Sequence, residues 1–209
     1  GIDVVIEFID LGKLYQYSVI GKISDQINVE FDLSKDKIEC VKSATNPRKV
    51  ESYLAIIPGE TIYRLYEYWG SQLMELNVRS FLQVSGKVNK GIRTTLIEEP
   101  NMFFAYNNGI AATAEKIKFV VEDGVKYIKE IVGFQIVNGG QTTASIHRAK
   151  KNDDIDLDEI SIPAKISVIQ KEDIRTFVPL ISRYSNSQNA VKQSDFHSDN
   201  IYLKKIDEL

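Results

Sequence analysis

The first third of the chain carries short runs of alternating apolar and polar residues, which is the pattern of half-buried β-strands. These runs occupy residues 3–9, 26–33, 37–41 and 50–57. Apolar residues then recur at helical spacing from Pro58 to Trp69, and Gly70 ends the pattern. We therefore predict a strand-rich N-terminal part over residues 1–72 that includes one helix near its end.

The pattern over residues 73–209 alternates between strand and helix. Residues 73–84 fit a strand or a mixed segment, and residues 87–99 fit a helix that Pro100 ends. Two alternating runs follow, and the Asp123-Gly124 pair between them is a strong hairpin signal. The runs span residues 102–121, with a break at residues 107–109, and residues 125–138.

The rest of the chain continues the alternation. The predicted order is a helix from Gln141 to about Lys151, an acidic linker at 152–159, a strand at 162–169, a helix at 172–185, a polar turn at 186–193 and a last helix capped by Ser194. This order predicts an α+β fold of mixed α/β type in two subregions, residues 1–72 and residues 73–209.

Composition narrows the classes of function. At 209 residues and 43% hydrophobic content, the chain can bury one large core or two small ones. A net charge of −3 argues against a protein that binds nucleic acid over its whole surface. A local basic channel is compatible with this charge. One cysteine, Cys40, and two histidines exclude a disulfide framework and argue against a Cys/His zinc site, so we predict no bound structural metal.

The same data predict where the protein works. The low cysteine content fits a reducing cytoplasm. No apolar run reaches the roughly 18 residues needed to span a bilayer, so we expect no membrane partner. Because Gly1 precedes a strand-like run and Leu209 lies within a helical pattern, we expect a piece of a longer protein, with its other domains as partners.

The most informative segment is residues 133–151. A short apolar run stops at Asn138-Gly139-Gly140, and a helix-compatible segment begins at once with Gln141 and Thr142. A strand that turns through glycines into a helix presents backbone N–H groups and the positive end of the helix dipole to one point. We therefore predict a phosphate or other anion there, although the segment matches neither the P-loop nor the dinucleotide-binding pattern.

Four segments are rich in carboxamides, glycines and hydroxyls and poor in carboxylates. Each one alone is compatible with an ordinary turn, but carboxamides also suit the recognition of polar ligand edges or phosphates. We therefore expect at least two of them to meet in one pocket. The segments are Asn77-Val78-Arg79, Asn107-Asn108-Gly109, Asn138-Gly139-Gly140-Gln141-Thr142 and Ser185-Asn186-Ser187-Gln188-Asn189.

Basic residues form a second candidate feature. Between Asn77 and Arg93 every charged residue is positive, and Arg79 and Lys90 are among them. This stretch fits either a phosphate-binding wall or a solvated basic helix face. Arg79 is the favoured contact, since a guanidinium holds phosphate oxygens bidentately.

Candidates for catalysis are few. His147, next to Arg148, could act as a general acid or base, but a histidine without a carboxylate nearby in sequence is more often structural. Asp195 and Asp199 share one predicted helix face and could hold a divalent cation such as Mg²⁺. Capping by Ser194, with acids in the first helical turn, explains the same residues more simply.

The order of these motifs resembles that of the AIPR family, the abortive infection phage resistance proteins of bacteria. The resemblance rests on Phe104-Ala105-Tyr106-Asn107-Asn108-Gly109-Ile110 followed by Val137-Asn138-Gly139-Gly140-Gln141-Thr142, and on the segments around Asn77, Asn89 and Asn186. It covers about residues 73–209 and implies a role in phage defence. Residues 1–72 carry no motif of this kind.

A looser similarity links the strand, glycine turn, helix and following strand to the ParB/sulfiredoxin-type fold. That similarity implies phosphate contacts from Gly139, Gly140, Gln141 and Thr142, with Asn186 as a second contact to phosphate or its Mg²⁺. The chain departs from the ParB pattern, which has arginines where Gln141, Thr142 and Thr143 stand. Positive charge would then come from Arg79, Lys90 or Arg148.

Together these observations predict a phage-defence core that binds a nucleotide or a nucleic-acid phosphate. Two other hypotheses stay open. One is a Mg²⁺-dependent nuclease or nucleotide hydrolase that uses Asp195, Asp199 and His147. The other is an interaction module in which the aromatic residues from Tyr63 to Trp69 contact another domain. The predicted ligand-binding set is Arg79, Lys90, Asn107, Asn108, Gly109, Asn138, Gly139, Gly140, Gln141, Thr142, Arg148, Asn186, Gln188 and Asn189.

Overall fold

The computed structural model describes residues 26–43, 50–74 and 86–186. These residues form eight strands: β1 (Asn28–Glu30), β2 (Glu39–Lys42), β3 (Glu51–Pro58), β4 (Ile110–Ala114), β5 (Lys116–Glu122), β6 (Val125–Val132), β7 (Gln135–Asn138) and β8 (Ser161–Val168). Five α-helices accompany them: α1 (Gly59–Trp69), α2 (Gly86–Glu98), α3 (Phe103–Tyr106), α4 (Gly140–Asp153) and α5 (Ile174–Asn186). Short 3₁₀ helices occupy Gly70–Met74, Pro100–Met102 and Lys171–Asp173.

All eight strands belong to one curled sheet with the order β1-β6-β2-β3-β8-β4-β7, in which β5 also pairs with β6. Every pair is antiparallel except β4 with β8. The pair β3–β8 runs from Glu51 opposite Val168 to Pro58 opposite Ser161. Strands from both predicted subregions therefore share one sheet, and the predicted mixed α/β fold class is confirmed.

Helices α1, α2 and α4 cover one face of the sheet. Ile62 of α1, Leu96 of α2 and Ile146 of α4 are buried in the main core together with the inward residues of the strands. The spacing of apolar residues in α1 explains this packing, since residues three or four apart lie on the same side of a helix. We refer to this face as the inner face.

Helix α5 packs on the opposite, outer face. Its Val178 joins Ala111 of β4 and Val137 of β7 in a second apolar cluster. The neighbours Ile110, Ala112 and Ile136 belong to the main core, because successive side chains of a strand point to opposite faces. Strand β4 is consequently buried on both faces.

Several local predictions are confirmed. The helix opened by Pro58 and stopped by Gly70 is α1, and the Asp123-Gly124 pair joins β5 to β6. The predicted glycine turn between a strand and a helix joins β7 to α4. The strand at residues 3–9, most of residues 73–84, and the last helix with Ser194 lie outside the described residues.

Two predicted strand runs are wrong in part. The start of the run at residues 102–121 is helical, because Pro100 begins a 3₁₀ turn that continues into α3. The run at residues 125–138 is broken at Gly133, which has φ 70°. The break redirects the chain, so that β6 pairs with β1, β2 and β5 whereas β7 pairs with β4.

No helix within the described ranges is long and apolar enough to cross a membrane.

Candidate functional site

Two of the carboxamide segments meet at one end of the sheet. We name them the first Asn-Gly turn, residues 107–109, and the second Asn-Gly turn, residues 138–142. The first directly precedes β4, and the second begins at the last residue of β7. Because β4 and β7 are antiparallel neighbours, with Ala111 opposite Asn138, the start of one lies beside the end of the other.

The backbones of the two turns are in direct contact. Gly139 has φ 89°, a conformation that favours glycine. A Cβ atom at Gly139 would lie 2.6 Å from the Gly109 carbonyl oxygen and 2.9 Å from the Ile110 Cα. Glycine at position 139 therefore allows both the left-handed backbone conformation and the close approach of the two turns.

The side chain of Asn107 joins the two turns. Its Oδ1 accepts a hydrogen bond from the Gly109 N–H at 2.8 Å and another from the Thr142 hydroxyl at 3.2 Å. Gly109 has φ 72°, and a Cβ there would lie 1.9 Å from the Pro163 carbonyl oxygen. The first Asn-Gly turn thus rests on β8 and contacts the beginning of α4.

The second Asn-Gly turn forms the start of α4. Asn138 Oδ1 accepts from the Gly139 N–H at 2.6 Å, and Gly139 O accepts from the Thr143 N–H at 3.1 Å. Gly139 is the N-cap of α4, so no side chain caps the helix, and the first turn contains no acidic residue. The positive end of the helix dipole is therefore not neutralised by the first turn's own side chains.

The carboxamide segment at residues 185–189 begins beside the second Asn-Gly turn. Asn138 Nδ2 donates to the Ser185 carbonyl oxygen at 2.7 Å, and the Ser182 hydroxyl donates to Val137 O at 3.4 Å. These bonds attach the C-terminal end of α5 to the end of β7. Asn186 is the last residue of α5, while Gln188 and Asn189 lie outside the described residues.

The positively charged candidates are spread along the helices. Arg148 is exposed and lies two turns after the start of α4. Lys90 is exposed on α2, one turn before Arg93, whose Nε donates to Asp153 Oδ2 at 2.8 Å. Asp153 ends α4 about 20 Å along the helix axis from Gly140. The structure therefore places Lys90 near the far end of α4, and Arg79 lies outside the described residues.

His147 has a carboxylate partner that is distant in sequence. Its Nε2 forms a hydrogen bond with Glu67 of α1, and its ring contacts Tyr63 and Tyr66 with centroid distances of 5.4 and 5.0 Å. Hydrogen bonds from His147 and then Lys151 lower the pKa of Glu67. The contacts of His147 thus hold α4 against α1.

The same contacts account for the aromatic residues of α1. Tyr63, Tyr66 and Trp69 are partly buried against the main core, whereas Tyr68 is exposed and meets the Trp69 ring edge-on. Most of the aromatic residues from Tyr63 to Trp69 therefore pack inside this chain.

The described ranges contain no group of three or more His, Cys, Asp or Glu side chains that could hold a metal ion. Asp195 and Asp199, the candidate cation ligands of the alternative enzyme hypothesis, lie outside those ranges.

Sequence reasoning missed two residues that shape this region. Pro163 supports the first Asn-Gly turn, and Glu67 binds His147. Each lies more than 50 residues from its partner in the chain, so no local motif indicates either contact. A long-range strand-pairing prediction would have been needed to find Pro163.

Comparison with known proteins identifies one family. A family model described as AIPR protein matches residues 74–209. No curated protein matches the chain, and no solved structure matches it. The looser ParB/sulfiredoxin similarity accordingly stays a prediction. Since the family model covers more than half of the sequence, the chain belongs to the AIPR family.

Proposed function

We propose that this protein binds a phosphate group of a nucleotide or nucleic acid at the two Asn-Gly turns, as part of phage defence by abortive infection. Membership of the AIPR family indicates the biological setting. The proposed biochemical role is recognition: occupation of the site would signal to a part of the protein that carries out the response.

One observation carries the proposal, namely the contact between the two turns at the start of α4. Gly139 brings the two backbones together, and Asn107 and Thr142 join them by a hydrogen bond of 3.2 Å. A helix start without a side-chain cap or first-turn acid is a favourable place for an anion. The Asn107 amide and the exposed Asn108 carboxamide beside it can supply neutral donors for phosphate oxygens.

The orientation of the Asn107 carboxamide adds to this argument. Two donors, the Gly109 N–H and the Thr142 hydroxyl, point at its Oδ1. Its Nδ2 therefore faces away from both, and it has no hydrogen-bond partner within the described ranges. This amide group can donate to a ligand oxygen, which favours an acceptor-rich group such as phosphate.

The test is a titration that compares two asparagine-to-aspartate variants. We expect nucleotides or short oligonucleotides to bind the wild-type chain in isothermal titration calorimetry. Asn107→Asp keeps the acceptor for Gly109 and Thr142 but adds a negative charge, so it should weaken binding by at least about tenfold.

The matched control is Asn152→Asp. Asn152 is exposed near the far end of α4, about 18 Å along the axis from Gly140. Asn152→Asp makes the same chemical change and the same change in net charge as Asn107→Asp. Binding by this control should be nearly unaltered. Equal losses in the two variants, or no binding of any nucleotide or oligonucleotide by the wild type, would contradict the proposal.

A further inference from the structure

The outer face of the sheet has an uncovered apolar area beside α5. Val41 of β2 is 70% exposed, and Leu54 and Ile56 of β3 are 54% and 41% exposed. Val41 lies directly opposite Leu54 in the strand register. Contiguous aliphatic side chains on a sheet face are costly to leave in water and commonly mark an interface. We refer to Val41, Leu54 and Ile56 as the aliphatic patch.

The two strands that carry the aliphatic patch are well packed on their other face. The alternate residues Cys40, Tyr53, Ala55 and Ile57 are all buried on the inner face. The strands therefore have an apolar side chain on both faces at most positions. That double-sided pattern is typical of strands covered on both sides, as β4 is.

Opposite charges flank the patch at two diagonal corners. In the strand register Glu39 lies opposite Ile56, and Leu54 lies opposite Lys165 of β8. The outer face therefore carries two rows across the strands: Glu39, Ile56 and Pro163 in one, and Val41, Leu54 and Lys165 in the other. Glu39 and Lys165 are both exposed, and neither forms an ion pair in the part of the chain that the structure describes.

We propose that a second copy of this chain packs on the aliphatic patch to form a two-fold symmetric dimer. A two-fold axis in the plane of the interface, along the diagonal from Val41 to Pro163, exchanges the two charged corners. Glu39 then faces Lys165 of the second copy, and Lys165 faces Glu39 of the second copy. The surface is therefore complementary to itself, which a two-fold interface requires.

Rotation about this axis makes the strands of the two copies cross at roughly 70°, since the diagonal spans two strand spacings of about 4.8 Å and two residue steps of about 3.4 Å. Orthogonal packing of two sheets is an established arrangement, with a separation of about 10 Å filled by the facing side chains. The aliphatic patches lie at the centre and the ion pairs at the rim, as in other protein interfaces. Dimer formation through the aliphatic patch does not depend on phosphate binding at the Asn-Gly turns.

The first test measures mass in solution by sedimentation equilibrium of the chain at several concentrations. We expect the wild type to form a dimer and Leu54→Lys to be monomeric. Val121→Lys is the matched control, because Val121 is also an exposed aliphatic residue, 63% exposed, on β5 of the same sheet. It should remain dimeric. A monomeric wild type at about 100 µM, or a dimer unaffected by Leu54→Lys, would overturn the proposal.

The second test examines the two-fold arrangement. Either Glu39→Lys or Lys165→Glu alone should raise the dimer dissociation constant by about tenfold, because each change turns two attractive pairs into repulsive ones. The double variant Glu39→Lys/Lys165→Glu should restore it to within about twofold of the wild type. Failure of the double variant to recover would rule out the proposed axis.

Discussion

The hairpin turn at Asp123-Gly124 and the second Asn-Gly turn have similar local sequences but differ in their surroundings. Gly124 has φ 80°, and a Cβ atom added there would meet nothing within 4 Å. Gly139 has φ 89°, and a Cβ there would collide with the backbone of the first Asn-Gly turn. Glycine is needed at position 124 only for its backbone conformation. At position 139 it is needed for the conformation and also because no Cβ atom fits there.

This difference shows that a turn signal in the sequence predicts backbone conformation but not contact with other segments. Asn-Gly and Asp-Gly pairs favour positive φ for local steric reasons, and these reasons are the same in every part of a fold. Whether another chain segment lies against the turn depends on strand pairing elsewhere. The comparison can be tested by substitutions that separate conformation from space.

The largest effect is expected from Gly109→Ala. At this position φ is 72° and the added Cβ would lie 1.9 Å from the Pro163 carbonyl oxygen, a backbone atom that cannot rotate away. We expect a loss of about 3 kcal/mol or more in the free energy of unfolding, measured by urea denaturation. Gly124→Ala should cost only about 1 kcal/mol, since the left-handed conformation alone opposes it. Equal costs at the two positions would contradict the distinction between a glycine in open space and a glycine packed against backbone.

A smaller effect is expected from Thr142→Val, which removes the hydroxyl that donates to Asn107 and leaves the side-chain volume nearly unchanged. Because Thr142 is buried, we expect a loss of about 1 kcal/mol in the free energy of unfolding. Thr94→Val on α2 is the control, because it is the same substitution in a helix at an exposed position. A control that is as destabilised as Thr142→Val would show that the loss comes from helix propensity.

The smallest effect concerns charge at the helix that carries the second turn. His147 and Lys151 hold the pKa of Glu67 below its ordinary value of 4.5. The stabilisation from this carboxylate is therefore complete above pH 4.5 and is lost as the pH falls through the lower folded pKa. On acidification from about pH 7 to about pH 3, the melting temperature should fall slightly more in the wild type than in Glu67→Gln.

The control for this measurement lies in the hairpin. Glu122→Gln removes an exposed carboxylate at the end of β5, away from the α1–α4 contact. Its melting temperature should follow the wild-type dependence on pH. An identical response in Glu67→Gln would mean that the α1–α4 contact contributes nothing to acid stability.

Local structure was largely predictable from the sequence because its causes are local. The apolar spacing of α1, the Asp123-Gly124 hairpin and the passage from β7 through glycines into α4 all depend on neighbouring residues. Residues 103–106 are an exception, because their local sequence does not select one type of element. Four consecutive apolar or small residues fit a strand and a helix equally well, and the preceding Pro100 turn favours the helix.

The candidate site was predictable as a set of carboxamide-rich segments, at least two of which were expected to meet. The sequence marked Asn107, Gly139 and Thr142 as members of such segments, but it did not indicate which segments would be in contact. Their contact follows from the position of β4 between β7 and β8, which brings residues far apart in the chain to one end of the sheet. His147 is a similar case, since its partner Glu67 belongs to a distant helix.

The sequence by itself determined the periodicity of each element, the positions of the glycine turns and the motif order that the AIPR family shares. Only the tertiary structure decided which turns touch, which glycines are pressed against backbone, and which aliphatic residues stay exposed on the outer face. The physical reason is the distance along the chain between the residues that interact. Backbone conformation responds to adjacent residues, whereas contact and burial depend on strand pairing between segments that the chain brings together only on folding.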